Sequence, residues 1–365
     1  AGSITILDFQ GASITAAASG ANKAVITVAA GGGSTTGWIQ DSNANLVAGG
    51  GAGAALDGAN TCCNILIGCN AGNAIDTGDR NLLIGWKAGA VMDSGHSNVF
   101  LGVCAGYDVT SGDYNFFGGY YAGQNATTGH CNIFIGKEAA SVRVITGSTN
   151  IALGYRAANN ITSGSNNIAL GAEALGDGFV TGAYNIAFGR DAGKALTSGN
   201  SNFIAGCSAA KQATDTHHSI IIGHNAACGA VANGNHNIFL GSSVAKNITG
   251  AYNTMFGVQA GCQVADASHN TFIGSYAARN NTGNMCYSVA IGNKVDLPIT
   301  SGNTQLAMGC NNNYWIVGNS SFNVGIGTTN PDAPVDSGNT KKLSVGIVSA
   351  YQLYGDGQYL TNVGG

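Results

Sequence analysis

Apolar residues along most of this chain come in runs of three, with Asn or Ser before and Gly after, as in Asn64-Ile65-Leu66-Ile67-Gly68 and Asn237-Ile238-Phe239-Leu240-Gly241. The anchors are Asn64, Asn81, Asn98, Asn115, Asn132, Asn150, Asn167, Asn185, Asn202, Ser219, Asn237, Asn253, Asn270 and Ser288, spaced 16 to 18 residues apart. A fixed period of this length means stacked units in place of a conventional globular core. Four residues past every anchor stands Gly, among them Gly68, Gly85, Gly102, Gly136, Gly171 and Gly241. Seven past it stands Ala in twelve units, with Val244 and Val295 as the departures. Gly at a fixed phase marks a corner that needs positive φ or a close backbone approach, and Ala marks room for little more than a methyl.

A three-residue apolar run once per period has none of the i, i+3, i+4, i+7 spacing of a helix, and is predicted to be a short strand of about three to five residues. The remainder of each unit, such as Thr110-Ser111-Gly112-Asp113, is turn composition. One unit is one coil. The predicted fold is all-β, a parallel β-solenoid or β-roll of about 14–16 coils with a period near 17 residues. At about 4.8 Å per strand it makes a rod on the order of 65 Å long.

Within the strand, residues one and three past the anchor, such as Ile133 and Ile135, share a face, and the middle residue points the other way. The middle residue is large at Leu66, Phe100, Phe117 and Phe134, small at Ala152, Ala169, Ala187 and Ala290, and polar nowhere. One face fills the coil, and the other leaves an apolar column that soluble monomers do not tolerate. The chain is therefore expected to pack against copies of itself around a common axis. A wide single-chain solenoid burying both faces is the alternative; so short a coil encloses little volume.

The expected organisation is a small β module over 1–33, a Gly-rich linker over 34–60, the repeat over 61–297, degenerate capping coils over 298–330 and a C-terminal fibre module over 331–365. In the first, Ile4–Phe9 and Ala24–Val28 are predicted strands joined by 11–20. In the capping coils, Tyr314 and Trp315 are expected to close the core.

Gly is 58 of 365 residues, Pro only 3, and charged residues 9%. So little charge argues against disorder, and Gly lacks the three-residue period of collagen. Net charge is −4 and no stretch gathers Lys or Arg beyond Lys341-Lys342, so neither nucleic acid nor an anionic membrane is an expected partner. No run of 18 apolar residues occurs. The chain opens Ala-Gly-Ser without Met or a leader, which points to processing or to a longer product. Ten cysteines sit at different phases without a CxxC pair, which disfavours zinc and suits assembly in a reducing cytoplasm; a disulfide from Cys62 or Cys63 to a neighbouring coil is the alternative.

Asn323-Val324-Gly325-Ile326-Gly327-Thr328-Thr329-Asn330-Pro331, Leu343-Ser344-Val345 and Tyr354-Gly355-Asp356-Gly357-Gln358-Tyr359-Leu360-Thr361-Asn362-Val363 resemble phrases that punctuate fibre proteins of tailed phages, marine cyanophage types especially. Ile6-Leu7-Asp8-Phe9-Gln10-Gly11 with Ala24–Val28 looks like another such module. The repeat resembles the Asn-x-x-Ile-Gly-x-x-Ala phrases of those fibres and, more distantly, the heads of trimeric autotransporter adhesins. The resemblance implies a homotrimeric tail fibre or similar virion appendage, assembled in a host cytoplasm beside other virion proteins, a stiff spacer that contacts a host surface glycan or protein. The chain departs from the fibre pattern in ending at Gly365 without the self-cleaving chaperone domain that often follows, which suggests a fragment or a matured product. A bacterial adhesin or extracellular filament subunit at the cell surface is the second expectation.

Enzyme chemistry is not expected, and no cofactor or metal is called for. A capsular polysaccharide depolymerase needs two carboxylates within several ångströms. Glu138 and Glu173 are the sole Glu, and Asp177 and Asp191 near Glu173 occupy turn positions. His96, His130, His217, His218, His236 and His269 fall just before anchors and are expected as solvated turn residues. The anchor Asn is expected to form an amide ladder along the stack. Trp86, Tyr107, Tyr120, Tyr121 and Tyr155 at the corners are the candidates for receptor contact, against the plainer expectation that they pack over Ala and Gly of the next coil.

Overall fold

The computed structural model describes residues 13–18, 24–29, 39–56, 61–229, 234–299, 302–321 and 323–327. It divides into two compact units, Ala1–Asp215 and Thr216–Gly365. The predicted strand Ile4–Phe9 and the predicted module 331–365 lie outside the described residues. Among the described residues there is no helix, and so none long and apolar enough to cross a membrane.

In the first unit, three-residue strands Leu46–Ala48, Ile65–Ile67, Leu82–Ile84, Val99–Leu101, Phe116–Gly118, Ile133–Ile135, Ile151–Leu153, Ile168–Leu170, Ile186–Phe188 and Phe203–Ala205 pair in parallel, each with the next. The register is that of the repeat: Phe100 lies beside Phe117, and Phe117 beside Phe134. In the second unit, Ile220–Ile222, Ile238–Leu240, Thr254–Phe256, Thr271–Ile273, Val289–Ile291 and Leu306–Cys310 form the same kind of ladder. Each unit is a stretch of parallel β-solenoid with a period near 17 residues.

The anchor amide organises the coil. The Asn81 backbone N–H and its side-chain Nδ2 both donate to Asn64 Oδ1, at 2.9 and 3.0 Å, while Nδ2 also donates to the Gly95 carbonyl at 2.8 Å. Each Asn thus ties its strand to the coil before it and to the closing turn of its own coil. The pattern runs from Asn45 to Asn202 in the first unit, and no anchor in either unit is more than 3% exposed. A buried amide is tolerable because its donors and acceptor are all used.

Sterics at the next position explain the corner glycine. Gly102 has φ +144°, and a Cβ there would lie 2.4 Å from the Gly119 carbonyl oxygen of the next coil. Two other corners need the left-handed region without glycine: the residue before the anchor, as at Ser97 (φ 55°) and Tyr114 (58°), and the residue six past it, as at Lys87 (55°) and Tyr121 (57°). Their N–H groups are held by the preceding coil, Tyr114 N–H donating to the His96 carbonyl at 3.0 Å and Tyr121 N–H to that of Val103 at 3.0 Å.

The middle strand residue is the one that points inward. Leu66, Leu83, Phe100, Phe117 and Phe134 are fully buried, together with the Ala seven past the anchor, which sits where only a methyl fits. Phe100, Phe117 and Phe134 stack with ring centroids 4.8 and 4.9 Å apart, the spacing expected of neighbouring strands. Interior volume is shared within a coil. Phe117 is accompanied by Ala126, whereas Ala187 is accompanied by Leu196. Residues one and three past the anchor face outward, so one chain does not bury both faces of its strands.

Three expectations are corrected. The segment 34–60 is no linker in its described part: Asn45-Leu46-Val47-Ala48-Gly49 is itself a repeat phrase, with Gly49 at φ +126° and Ala52 buried. Asn45 opens the amide ladder, and the Asp41 carboxylate caps it, accepting from Asn45 Nδ2 at 2.8 Å and from the Asn43 and Asn45 N–H groups at 2.9 Å. Near the N-terminus, Ala24–Ala29 is a strand as expected, but it pairs antiparallel with Ser13–Ala18, inside the stretch read as a connection. At the other end, Trp315 is 66% exposed and closes nothing. The second unit ends instead on an antiparallel meander, Asn313–Gly318 against Leu306–Cys310 and Val324–Ile326 against Asn313–Gly318, with Val317 buried and the Tyr314 hydroxyl donating to the Asp296 carbonyl at 3.0 Å. Antiparallel strands end a parallel stack without needing a further coil.

Candidate functional site

Four surfaces arise from the coil geometry. The first is the outer face of the strands. In the first unit it carries Ile65, Ile84, Ile133 (38% exposed), Ile135, Leu153, Phe188 (57%) and Phe203, all open to solvent in the single chain. The parallel register stacks these residues into two columns, Ile133 beside Phe116 on one side and Ile151 on the other. In the second unit the face is interrupted by Thr254 and Thr271, which lie side by side.

The second surface lies just past the corner glycine of the first unit and holds the candidate receptor residues. Trp86, Tyr120 and Tyr155, each five past an anchor, are exposed; Tyr107 and Tyr121 are half-buried. They gather around cations. Lys87 Nζ lies 4.6 Å from the Trp86 ring centroid and 5.6 Å from that of Tyr107, and Lys137 Nζ lies 5.9 Å from both Tyr120 and Tyr155. Tyr120 and Tyr121 meet edge-on at 4.1 Å.

Farther along, the few carboxylates of this unit do come together. Lys194 Nζ pairs with Glu173, with Asp177 at 3.3 Å and with Asp191 at 3.4 Å, and Lys211 reaches Asp191 at 3.2 Å. Burial alone would push the Asp191 carboxyl up, but the Lys211 hydrogen bond and the Lys194 charge outweigh it and hold the group below its ordinary range. Its hydrogen bond to Glu173 in turn raises the Lys194 ammonium. Glu138 is likewise held low by the Arg156 guanidinium at 2.6 Å. A glycosidic general acid needs a raised pKa, the opposite of the shifts at Asp191 and Glu138.

The third surface is the turn two before the anchor. Asp79 and Asp113 alternate there with His96 and His130. His96 N–H donates to Asp113 Oδ1 at 2.7 Å and Asp113 N–H donates to His130 Nδ1 at 3.0 Å, while Asp79 N–H donates to His96 Nδ1 at 3.1 Å. Both imidazoles therefore act as acceptors through Nδ1 and form a second ladder opposite in direction to the amides. They are more than solvated turn residues.

The fourth is a ring stack in the second unit, one before the anchor. His236, Tyr252, His269 and Tyr287 follow one another at 4.8–4.9 Å with interplanar angles of 12–22°, and His218 meets His236 at 5.0 Å. Reading the histidines alone missed it, because tyrosines fill the intervening coils. The signal was the shared phase.

No family model, curated protein or solved structure matches this chain.

Among the described residues no group of three or more His, Cys, Asp or Glu is placed to hold a metal ion. All ten cysteines are free thiols.

Proposed function

We propose that the chain is a structural fibre segment of a phage virion, a tail fibre or similar appendage, in which three copies pack their outer strand faces around a common axis. The outward apolar columns of Ile, Leu and Phe carry this reading. They run along a ladder of parallel strands in a chain of only 9% charged residues. Soluble proteins seldom leave such a strip open, and parallel sheets are ordinarily covered on both faces. A cyclic arrangement covers each chain's strip with the strips of its neighbours and leaves the corners and turns outside. The fibre-like phrases after Asn323 favour a virion over a cell-surface adhesin. In this reading the segment is a stiff, non-enzymatic spacer joined to other virion proteins, and Trp86, Tyr107, Tyr120, Tyr121 and Tyr155 are its contacts with a host surface.

Light scattering on the purified chain tests the assembly. The expected mass is about three times the 36.5 kDa of one chain, and Ile133→Asp with Ile135→Asp is expected to release monomers that keep their β spectrum. A stable wild-type monomer overturns the trimer. Detection of the chain on purified virions, against its recovery from a cell envelope, tests the setting.

A further inference from the structure

Past the corner glycine, the unit Thr216–Gly365 carries a polar groove that none of the surfaces above uses. Two cavities of about 240 and 220 Å³ lie along it. They sit at one phase of successive coils: Lys246, Cys262 and Arg279 are nine past their anchors, and Asn247, Gln263 and Asn280 are ten past. The Arg279 side chain, lining the smaller cavity, hydrogen-bonds the buried Cys262 thiol, which lines the larger. Arg279 also lies over the Tyr276 ring at 5.0 Å, and its buried Nε has no hydrogen-bond partner.

The charges here are open. Among the described residues neither Lys246, Arg279 nor Lys294 makes an ion pair. The one carboxylate of the groove, Asp296, is occupied by the Asn280 N–H at 3.0 Å, Asn280 Nδ2 at 2.8 Å and Asn312 Nδ2 at 3.3 Å.

We infer that this groove binds a linear acidic polysaccharide lying along the coil axis. Asn247 and Gln263, on adjacent coils about 4.8 Å apart, offer paired donors and acceptors to hydroxyl-bearing rings, while Asn280 in the coil after them is held by Asp296. Arg279 and the two lysines supply charge-assisted bonds to carboxylate or sulfate groups at intervals along it. A nucleic-acid strand is a poorer fit, since Tyr276 is the one aromatic residue lining the two cavities and Arg279 covers its ring, which leaves bases no platform to stack on. The inference stands apart from the fibre reading: a monomeric chain that binds the polymer sinks the trimer and leaves the groove intact.

Fluorescence anisotropy with the full chain tests it, using labelled polygalacturonate, dextran sulfate and neutral dextran. An acidic polymer is expected to bind, more weakly as salt rises, and neutral dextran is not; preference between the two acids separates carboxylate from sulfate recognition. Arg279→Gln with Lys294→Gln is expected to raise Kd about a hundredfold, roughly tenfold per cation. Arg80→Gln, at an exposed site in the other unit, leaves Kd unchanged. Circular dichroism melting checks that the variants fold, and the exposed single change Lys294→Glu gives the same readout if the double variant does not. Failure of both acidic polymers to bind, equal binding of neutral dextran, or wild-type affinity in a folded Lys294→Glu protein overturns the inference.

Discussion

In Ala1–Asp215 the large rings stack inside, Phe100 on Phe117 on Phe134, and the carboxylates of Glu138, Glu173 and Asp191 are captured by Arg156, Lys194 and Lys211 of neighbouring coils. In Thr216–Gly365 the continuous stack is outside, from His236 to Tyr287, Met255 separates Phe239 from Phe272 in the interior ladder, and Lys246, Arg279 and Lys294 stand unpaired among the described residues. The anchor differs as well: an unbroken run of Asn from Asn45 to Asn202 in the first unit, against Ser219, Ser288 and Gln305 among the anchors of the second. What the units share is the corner glycine, the buried position seven past the anchor and the left-handed residues. Backbone requirements set the coil, and the remaining phases are free to carry different chemistry.

The strongest test of that shared frame is a methyl at the corner. Gly102→Ala in the first unit and Gly257→Ala in the second both place Cβ 2.4 Å from the carbonyl oxygen of the next coil at positive φ. Each is expected to cost about 4 kcal/mol or more, read as a loss of the cooperative melt or rapid proteolysis. If one unit tolerates the change, the frame is not common to both.

The amide ladder sharpens the contrast. Asn98→Ala breaks four bonds of the ladder, stranding the Asn115 N–H and the Gly112 carbonyl and leaving Asn115 Nδ2 and Asn81 Oδ1 with one partner each, and is expected to cost about 3 kcal/mol. Asn270→Ala breaks one bond fewer, because only the Ser288 N–H takes its Oδ1, and is expected to cost about 2 kcal/mol by denaturant titration.

Acid gives the smallest effect. The Asp191 carboxyl is held below its ordinary value of 3.8, so its pairing stabilises the first unit above that pH and the stabilisation is lost as pH falls through the lower folded value. The melting temperature of the wild type is expected to fall more steeply than that of Asp191→Asn between about pH 5 and pH 2. Parallel curves would remove the network from the account of stability.

Much of the coil was legible because it repeats at a fixed phase: the short strand, the glycine corner, the alanine pocket and the amide ladder all follow from residues that recur. Which strand face turns inward was not, since both are apolar and period-two alternation carries no sign. The left-handed corners at Ser97, Tyr114, Lys87 and Tyr121 escaped because glycine is the usual marker and none is glycine. Asn45 was missed because its phrase lies 19 residues from the next and is embedded in glycines. Coil spacing suggested that Glu173, Asp177 and Asp191 would approach one another, but their capture by Lys194 depends on side-chain reach, which periodicity does not encode.

Repetition also creates an ambiguity that the interior resolves. If a folding chain docked one coil out of step, the anchor amides, corner glycines and strand ladders would find equivalent partners. The pairs Phe117 with Ala126 and Ala187 with Leu196 would not, for a wrong neighbour brings two bulky groups together or leaves a void. The buried side chains therefore hold the information that the repeating backbone lacks. They number the coils.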